Sequence, residues 1–509
     1  MKKLLGLGVL SVLGLVVGCA AGPDTGGEGG ANTHDRTAGG DEGEKLETGA
    51  MTLSPSGRWG IMQRNTVTVL VDFERGTAQE LPFVVERAAW SKRSELAYVV
   101  LADRKGVGAL DLARASLAWK VVPAFVSTAG ATLARLVDDE SALVVGDLAR
   151  VFVIDTKDGD VRGTAAVPSG PTDIEPIGGG RALVVGSTRW QDHAPATEVV
   201  LVDAATMKTS RVEVPNCAAP IVPTKGGARA LLSPTYCEEA RPANAPATWT
   251  NPDPVSVIDV VGGELRFVKN LPGFGPVALS PDGARAVAYL DTKRMDRSMF
   301  ADPSQIPGSG APRYHVMVID PATLAFTLDG VGDVLPRFAM AKSGAGLLVD
   351  GTAEAARGEA YAKVTLGAGG VTAEAGGAFG GGRGLFGWFD LGTRKYTAFS
   401  GPSASLDRFV QRDDGQVFTL RTRADGMGGD LFRIDVGARA TEDLGRSLRD
   451  VGVRPDGSLV LRIRLEAAVE GSLKYAQEEY CLSPDGRTCA TSIRFRGKTP
   501  LPSCEHDCF

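Results

Sequence analysis

A chain of 509 residues with 43% hydrophobic content, 65 glycines and a formal charge of −6 has room for two to four ordinary domains of about 150 residues, or for one large closed β fold. Its mild acidity supplies no broad basic field, which argues against a nucleic-acid partner.

The chain opens MKKLLGLGVLSVLGLVVGCAAG. Lys2 and Lys3 precede an apolar run from Leu4 to Val17 that is too short to span a bilayer comfortably and has the form of an export signal. The following VVGC, residues 16–19, resembles the lipobox of bacterial lipoproteins. That resemblance implies a signal peptide over 1–18, with Cys19 lipidated and left as the mature N-terminus. Several acyl chains would give stable anchoring where one would not. Ala20 at the next position implies the outer membrane under the enterobacterial sorting rule, so the expected address is the cell envelope, facing the periplasm or the surface.

Residues 19–49 then read as an acidic, Gly-rich disordered tether. They are too poor in apolar side chains to bury a core. Seven acids (Asp24, Glu28, Asp35, Asp41, Glu42, Glu44, Glu47) against Arg36 and Lys45 leave five negative charges there, and His34 is expected to be solvated.

From residue 50 to 497 one phrase order recurs. Turn-like tips between apolar runs include LSPSGRWGIM (53–62), SKRSELAYVV (91–100), ALSPDGARAVAYL (278–290), RDDGQVFTL (412–420) and RPDGSLVLRI (454–463). Pro-Asp-Gly presets the first turn dihedral and supplies both local hydrogen bonding and a positive φ. Nearly every tip is followed by an apolar strand ending in Asp and then a turn: VTVLVDFERG, VFVIDTKDG, VVLVDAATM, VSVIDVVGG, VMVIDPATL, LFRIDVGAR. Each unit therefore reads strand A, turn, strand B, loop, strand C, turn, strand D. The period of roughly 40 to 65 residues is that of a four-stranded propeller blade, and closing the units into a ring removes most exposed sheet edges.

These residues resemble the WD40-like, YVTN and TolB-type bacterial propeller repeats, over about Met51 to Arg496. The resemblance implies an all-β propeller of four-stranded antiparallel blades. It carries a fold and no activity. Nine units can be recognised, but the seventh is irregular and terminal pieces often combine into one blade, so the expected ring has eight blades, with seven as the alternative. One unit, ALDLARASLAWK (109–120), is similar to the tryptophan docking motif of quinoprotein-type propellers, although Arg114-Ala115 replaces its Thr-Gly. Trp119 is read as blade-packing core, and no cofactor is implied.

Export to an oxidising compartment makes disulfides the expected state of Cys217, Cys237, Cys481, Cys489, Cys504 and Cys508. Cys217 and Cys237 fall in connections on the same end of the propeller, while Cys481 and Cys489 flank LSPDGRT and face each other across a C–D hairpin. In the tail 498–509, CEHDC with His506 reads as a disulfide loop in preference to a metal site.

Regular connections need few residues, so long ones mark function. Four consecutive units have enlarged B–C loops, at 187–197, 233–254, 291–313 and 351–383. All emerge on one face. The candidate binding residues on this rim are Trp190, Asp192, His193, Tyr236, Trp249, Lys293, Arg294, Met295, Arg297, Met299 and Phe300, of the aromatic, Met and cationic types that dominate interfaces. No catalytic residue is assigned: Gly-x-Ser-x-Gly, His-Glu-x-x-His and phosphate-cradling loops are all missing, and His315, at the start of a strand C, reads as structural. The expected function is a lipid-anchored envelope module that binds a protein or polymer through its loop-rich face. The alternative is a glycan- or peptide-directed hydrolase or lyase acting in the central funnel.

Overall fold

The computed structural model describes residues 44–45, 51–64, 67–102, 106–124, 133–167, 169–191, 194–234, 254–293, 295–308, 310–332, 337–350, 362–367, 370–375, 386–402, 406, 408–422, 429–464, 468–470 and 473–500. The repeat builds a β-propeller of nine blades, each a four-stranded antiparallel sheet in chain order from the centre outwards. The first is Met51–Leu53, Trp59–Arg64, Val67–Asp72 and Thr77–Glu80. The ninth is Asp450–Val453, Leu459–Arg464, Leu473–Ser483 and Thr491–Pro500.

The expectation of eight blades, or seven, is therefore corrected, for two physical reasons. The irregular seventh unit is a complete blade (Arg337–Met340, Gly346–Asp350, Phe386–Asp390, Lys395–Ala398) whose B–C connection contains an extra hairpin, Ala362–Gly367 with Gly370–Ala375. The terminal units also do not merge. Blade 9 uses only C-terminal strands and blade 1 only N-terminal ones, and side chains close the ring.

Side-chain periodicity explains the packing. In strand C of blade 1, Val67, Val69 and Val71 enter the core shared with blade 9, while Leu70 enters the core shared with blade 2. In blade 3, Val151 and Val153 face blade 4 whereas Phe152 and Ile154 face blade 2. Successive side chains point to opposite faces, and here both faces are covered. Hence the middle strands read as unbroken apolar runs. Nine apolar clusters fill the nine blade junctions.

The A–B and C–D turns lie on one face of the ring, the turn face, and the B–C loops and D–A connectors on the other, the loop face. On the turn face the Asp ending strand C accepts the backbone N–H groups two and three residues on, as at Asp72, Asp203, Asp320 and Asp390. The residue four beyond that Asp then turns left-handed: Gly76, Ala115, Gly159, Met207, Leu324, Arg394 and Arg439 all have positive φ. Its N–H returns to the Asp carbonyl at 2.8 Å for Met207, Leu324 and Arg394, which closes the turn.

Adjacent tips interlock around the turn face. Arg58 pairs with Glu95 at 2.6 Å, Ser91 and the Lys92 N–H donate to Glu140, and Arg454 donates to the Gly57 carbonyl at 2.8 Å across the ring closure. Gly227 approaches so closely that a Cβ there would sit 1.9 Å from the Ile177 carbonyl oxygen of the preceding blade. Trp119 acts as the sequence suggests. Its indole N–H donates to the Thr156 carbonyl at 3.1 Å, and its ring covers Gly159 on the next blade.

Candidate functional site

The interior polar groups come first, because a funnel enzyme would need some of them for chemistry. Asp173, Asp350 and Asp450 are buried, and each spends a carboxylate oxygen on the backbone of the following blade. Asp173 accepts from the Ile221 N–H at 2.9 Å, Asp350 from Leu406 at 3.0 Å and Asp450 from Met51 at 2.8 Å. Hydroxyls do the same at other junctions, Thr68 to Val85 at 2.8 Å and Ser233 to Val277 at 2.9 Å. A buried N–H left unpaired costs about 1–3 kcal/mol, so these groups fasten one blade to the next.

The last blade adds a buried cluster in which Glu478 accepts from both Arg462 and the Tyr480 hydroxyl. Its arginine is balanced by an adjacent acid, and the cluster reads as packing. His315 is buried at the start of strand C in blade 6, where burial lowers its pKa against the opposing influence of Asp329. A cavity of about 320 Å³ between the inner strands of blades 4 and 5 contains one carboxylate, Glu175, which lies 4.0 Å from Arg135.

The loop face is different. In blade 6, the B–C loop leaves strand Ala286–Asp291 and returns at Tyr314–Ile319. Its two ends are clamped because the buried Asp291 carboxylate takes the Lys293 N–H at 2.9 Å and the Arg313 guanidinium at 2.9 Å. Arg313 also stacks over Tyr314, 4.6 Å from the ring centre.

Within the loop, Asp296 and Asp302 cap the short 3-10 turns Arg297–Met299 and Pro303–Gln305. Phe300 is buried edge-on against Phe326 of the outer strand, with ring centres 5.9 Å apart. That side chain therefore packs its own loop. Lys293 and Arg297 remain exposed, and Met295 and Met299 are half-buried.

Two hairpins also extend from the loop face. In blade 4, Arg189–Gln191 pairs with the first residues of Ala194–Asp203, which carries Trp190 on an arm; Arg189 is tied to Glu198 at 3.1 Å. In blade 9, Ala468–Glu470 pairs with Leu473–Ser483, and Arg496 braces it by contacting Glu470 at 2.8 Å and the Tyr475 ring at 5.5 Å. The sequence reading missed this second arm. Its signal was available in AVEGSLKY, where Gly471-Ser472 separates two strand-forming runs.

Cys481 and Cys489 are bonded across the C–D hairpin of blade 9, with Cα atoms 5.4 Å apart. Cys217 is buried and disulfide-bonded, and its partner lies outside the described residues. Also outside them are Cys19, Asp192, His193, Tyr236, Cys237, Trp249, Arg294, Cys504, His506 and Cys508, as is the side chain of Trp190. Among the described residues no three His, Cys, Asp or Glu side chains are grouped to hold a metal, and no helix is long and apolar enough to cross a membrane.

The molecule is thus a β-propeller of nine four-stranded antiparallel blades with enlarged connections on one face. No protein-family profile matches the chain, and no curated protein does. Solved structures similar to it include Kuenenia stuttgartiensis hydrazine synthase, at 15% identity over 63% of this chain and 95% of that one, with a TM-score of 0.37. Another is the dihydro-heme d1 dehydrogenase NirN in complex with DHE, at 11% identity over 80% and 74% with a TM-score of 0.41. The Dos1 propeller is similar at 10% identity over 91% and 94%, with a TM-score of 0.39. The fold rests on the blade topology itself, and nothing about activity passes from these proteins to this chain.

Proposed function

We propose that this protein is a lipid-anchored binding module of the bacterial cell envelope, held through Cys19, that engages a protein or envelope polymer with its loop face. The observation that carries the reading is the clamped blade 6 loop. Asp291, Asp296, Asp302, Arg313 and Phe300 are used to hold its shape, which leaves Lys293, Arg297 and part of Met295 and Met299 presented to solvent. A surface ordered before binding loses less conformational entropy when a partner arrives. Met and Arg are residues on which interface energy concentrates. The lipobox-like VVGC and the acidic segment after it support the anchor, and the Cys217 disulfide beside the blade 5 connection fits an oxidising compartment.

The test is in-cell photocrosslinking from positions 293 and 297, followed by capture with Lys293→Ala/Arg297→Ala/Met299→Ala protein. The proposal expects one dominant envelope partner that the triple variant loses while its thermal unfolding is unchanged. Capture of the same partner by the variant at full yield would reject the blade 6 loop as the site.

A further inference from the structure

A short strand ahead of the first blade marks the direction in which the chain approaches the ring. Glu44–Lys45 forms a short strand on the inner edge of blade 2, beside Val85–Trp90, with Glu44 opposite Ala88 and Lys45 opposite Arg87. That edge borders the central channel. Strand A of every blade runs from the loop face to the turn face, and the pairing is antiparallel, so residues 44 to 45 run from the turn face toward the loop face. Met51 then begins blade 1 at the loop face, where its N–H is held by Asp450. Residues 44–45 are thus directed toward the face at which blade 1 begins.

We propose that the segment joining Cys19 to the propeller enters at the turn face and threads the channel along the inner edge of blade 2. The loop face then points away from the membrane that holds the lipid, and an external peptide cannot add to that edge while the segment is in place. Addition of a strand to a free sheet edge is a general mode of peptide recognition; here the chain's own residues 44–45 are the occupant. The orientation rests on the lipid-anchor reading above, whereas the threading does not.

Full-length protein carrying Lys45→Cys with Arg87→Cys tests the threading, because directly opposed residues of antiparallel strands lie within disulfide reach. Lys45→Cys with Glu175→Cys, on the inner strand of blade 4, is the offset control. Mass spectrometry after mild oxidation is expected to show the 45–87 linkage several-fold above 45–175, and equal or inverted yields overturn the threading whatever the state of Cys19.

The orientation is read on lipidated protein in phospholipid vesicles, with a fluorophore placed through a non-natural amino acid at position 282 on the turn face or at the exposed position 148, in the tight B–C turn of blade 3 on the loop face. Energy transfer to a headgroup acceptor is expected to be stronger from 282; equal or stronger transfer from 148 overturns the orientation. Absence of lipid from the Cys19 peptide would instead defeat the anchor and the orientation together, leaving the 45–87 result to decide the threading alone.

Discussion

At the scale of single residues, the left-handed position in the C–D turns separates backbone demands from side-chain ones. Ala115 has φ of 52° where blades 1 and 3 have glycine, and an L-residue there costs about 1–2 kcal/mol. Ala115→Gly is expected to raise stability by up to about 1 kcal/mol, less whatever its partly packed methyl contributes; denaturant unfolding measures it. Gly159→Ala should do the opposite, because its φ is 83° and a Cβ would lie 2.6 Å from the Trp119 ring. Strain and overpacking together predict a loss of about 2–4 kcal/mol.

The turn aspartates predict acid sensitivity. The Thr323 and Ala322 N–H groups lower the Asp320 pKa, the Thr393 N–H lowers that of Asp390 despite partial burial, and the Thr488 and Arg487 N–H groups bring Asp485 to about 2. Folded pKa values below the unfolded ones mean stability that is complete above the ordinary carboxylate range and lost as pH falls through the folded values. Melting temperature should therefore decline from about pH 5 toward pH 2. Asp485→Asn should flatten part of that decline, and an unchanged acid limb would count against this account.

At the scale of elements, the turns were legible in the sequence and the latches were not. SPDG and VID announce themselves because a tight turn restricts residue choice locally. Asp173, Asp350 and Asp450 serve a backbone N–H in the next blade, and nothing in the nearby sequence specifies that partner. The blade 7 insertion concealed a regular blade for a related reason, since strand B at Gly346–Asp350 and strand C at Phe386–Asp390 are neighbours in space but far apart in the chain.

On the candidate site, residue type was a partial guide. Aromatic character makes Phe300 a candidate on the rim, and that same hydrophobicity takes it into the blade. Phe300→Ala is expected to cost about 3 kcal/mol or more by analogy with buried Phe deletions, whereas exposed Arg297→Ala should stay within about 0.5 kcal/mol. Asp450→Ala should cost about 1–3 kcal/mol through the stranded Met51 N–H, and Asp450→Asn, which keeps an acceptor, should cost less. Thermal unfolding of this small series distinguishes the roles.

At the scale of the whole molecule, periodicity established a ring of blades while leaving their number one too low. Ring closure depends on contacts between the two ends of the chain, such as Val460, Tyr480 and Phe495 against Met62 and Val69, which periodicity does not encode. The Cys481–Cys489 bond closes a short loop in the last blade. Its removal by Cys481→Ser/Cys489→Ser is expected to destabilise the protein by about 2–3 kcal/mol on the chain-entropy account. Unfolding of the double-serine protein against the wild type, both without reductant, measures that contribution, because reductant would also open the Cys217 bond.

Closure without strand exchange also means that no seam is privileged. The contact between blades 9 and 1 uses the same materials as the others: an apolar cluster, an acid-to-amide latch, and interlocked tips. The order in which blades leave the ribosome is therefore a historical fact about the gene more than a requirement of the architecture. A propeller with Pro500 joined to Met51 by a short linker and reopened at the connector between blades 2 and 3 should assemble the same nine-membered circle.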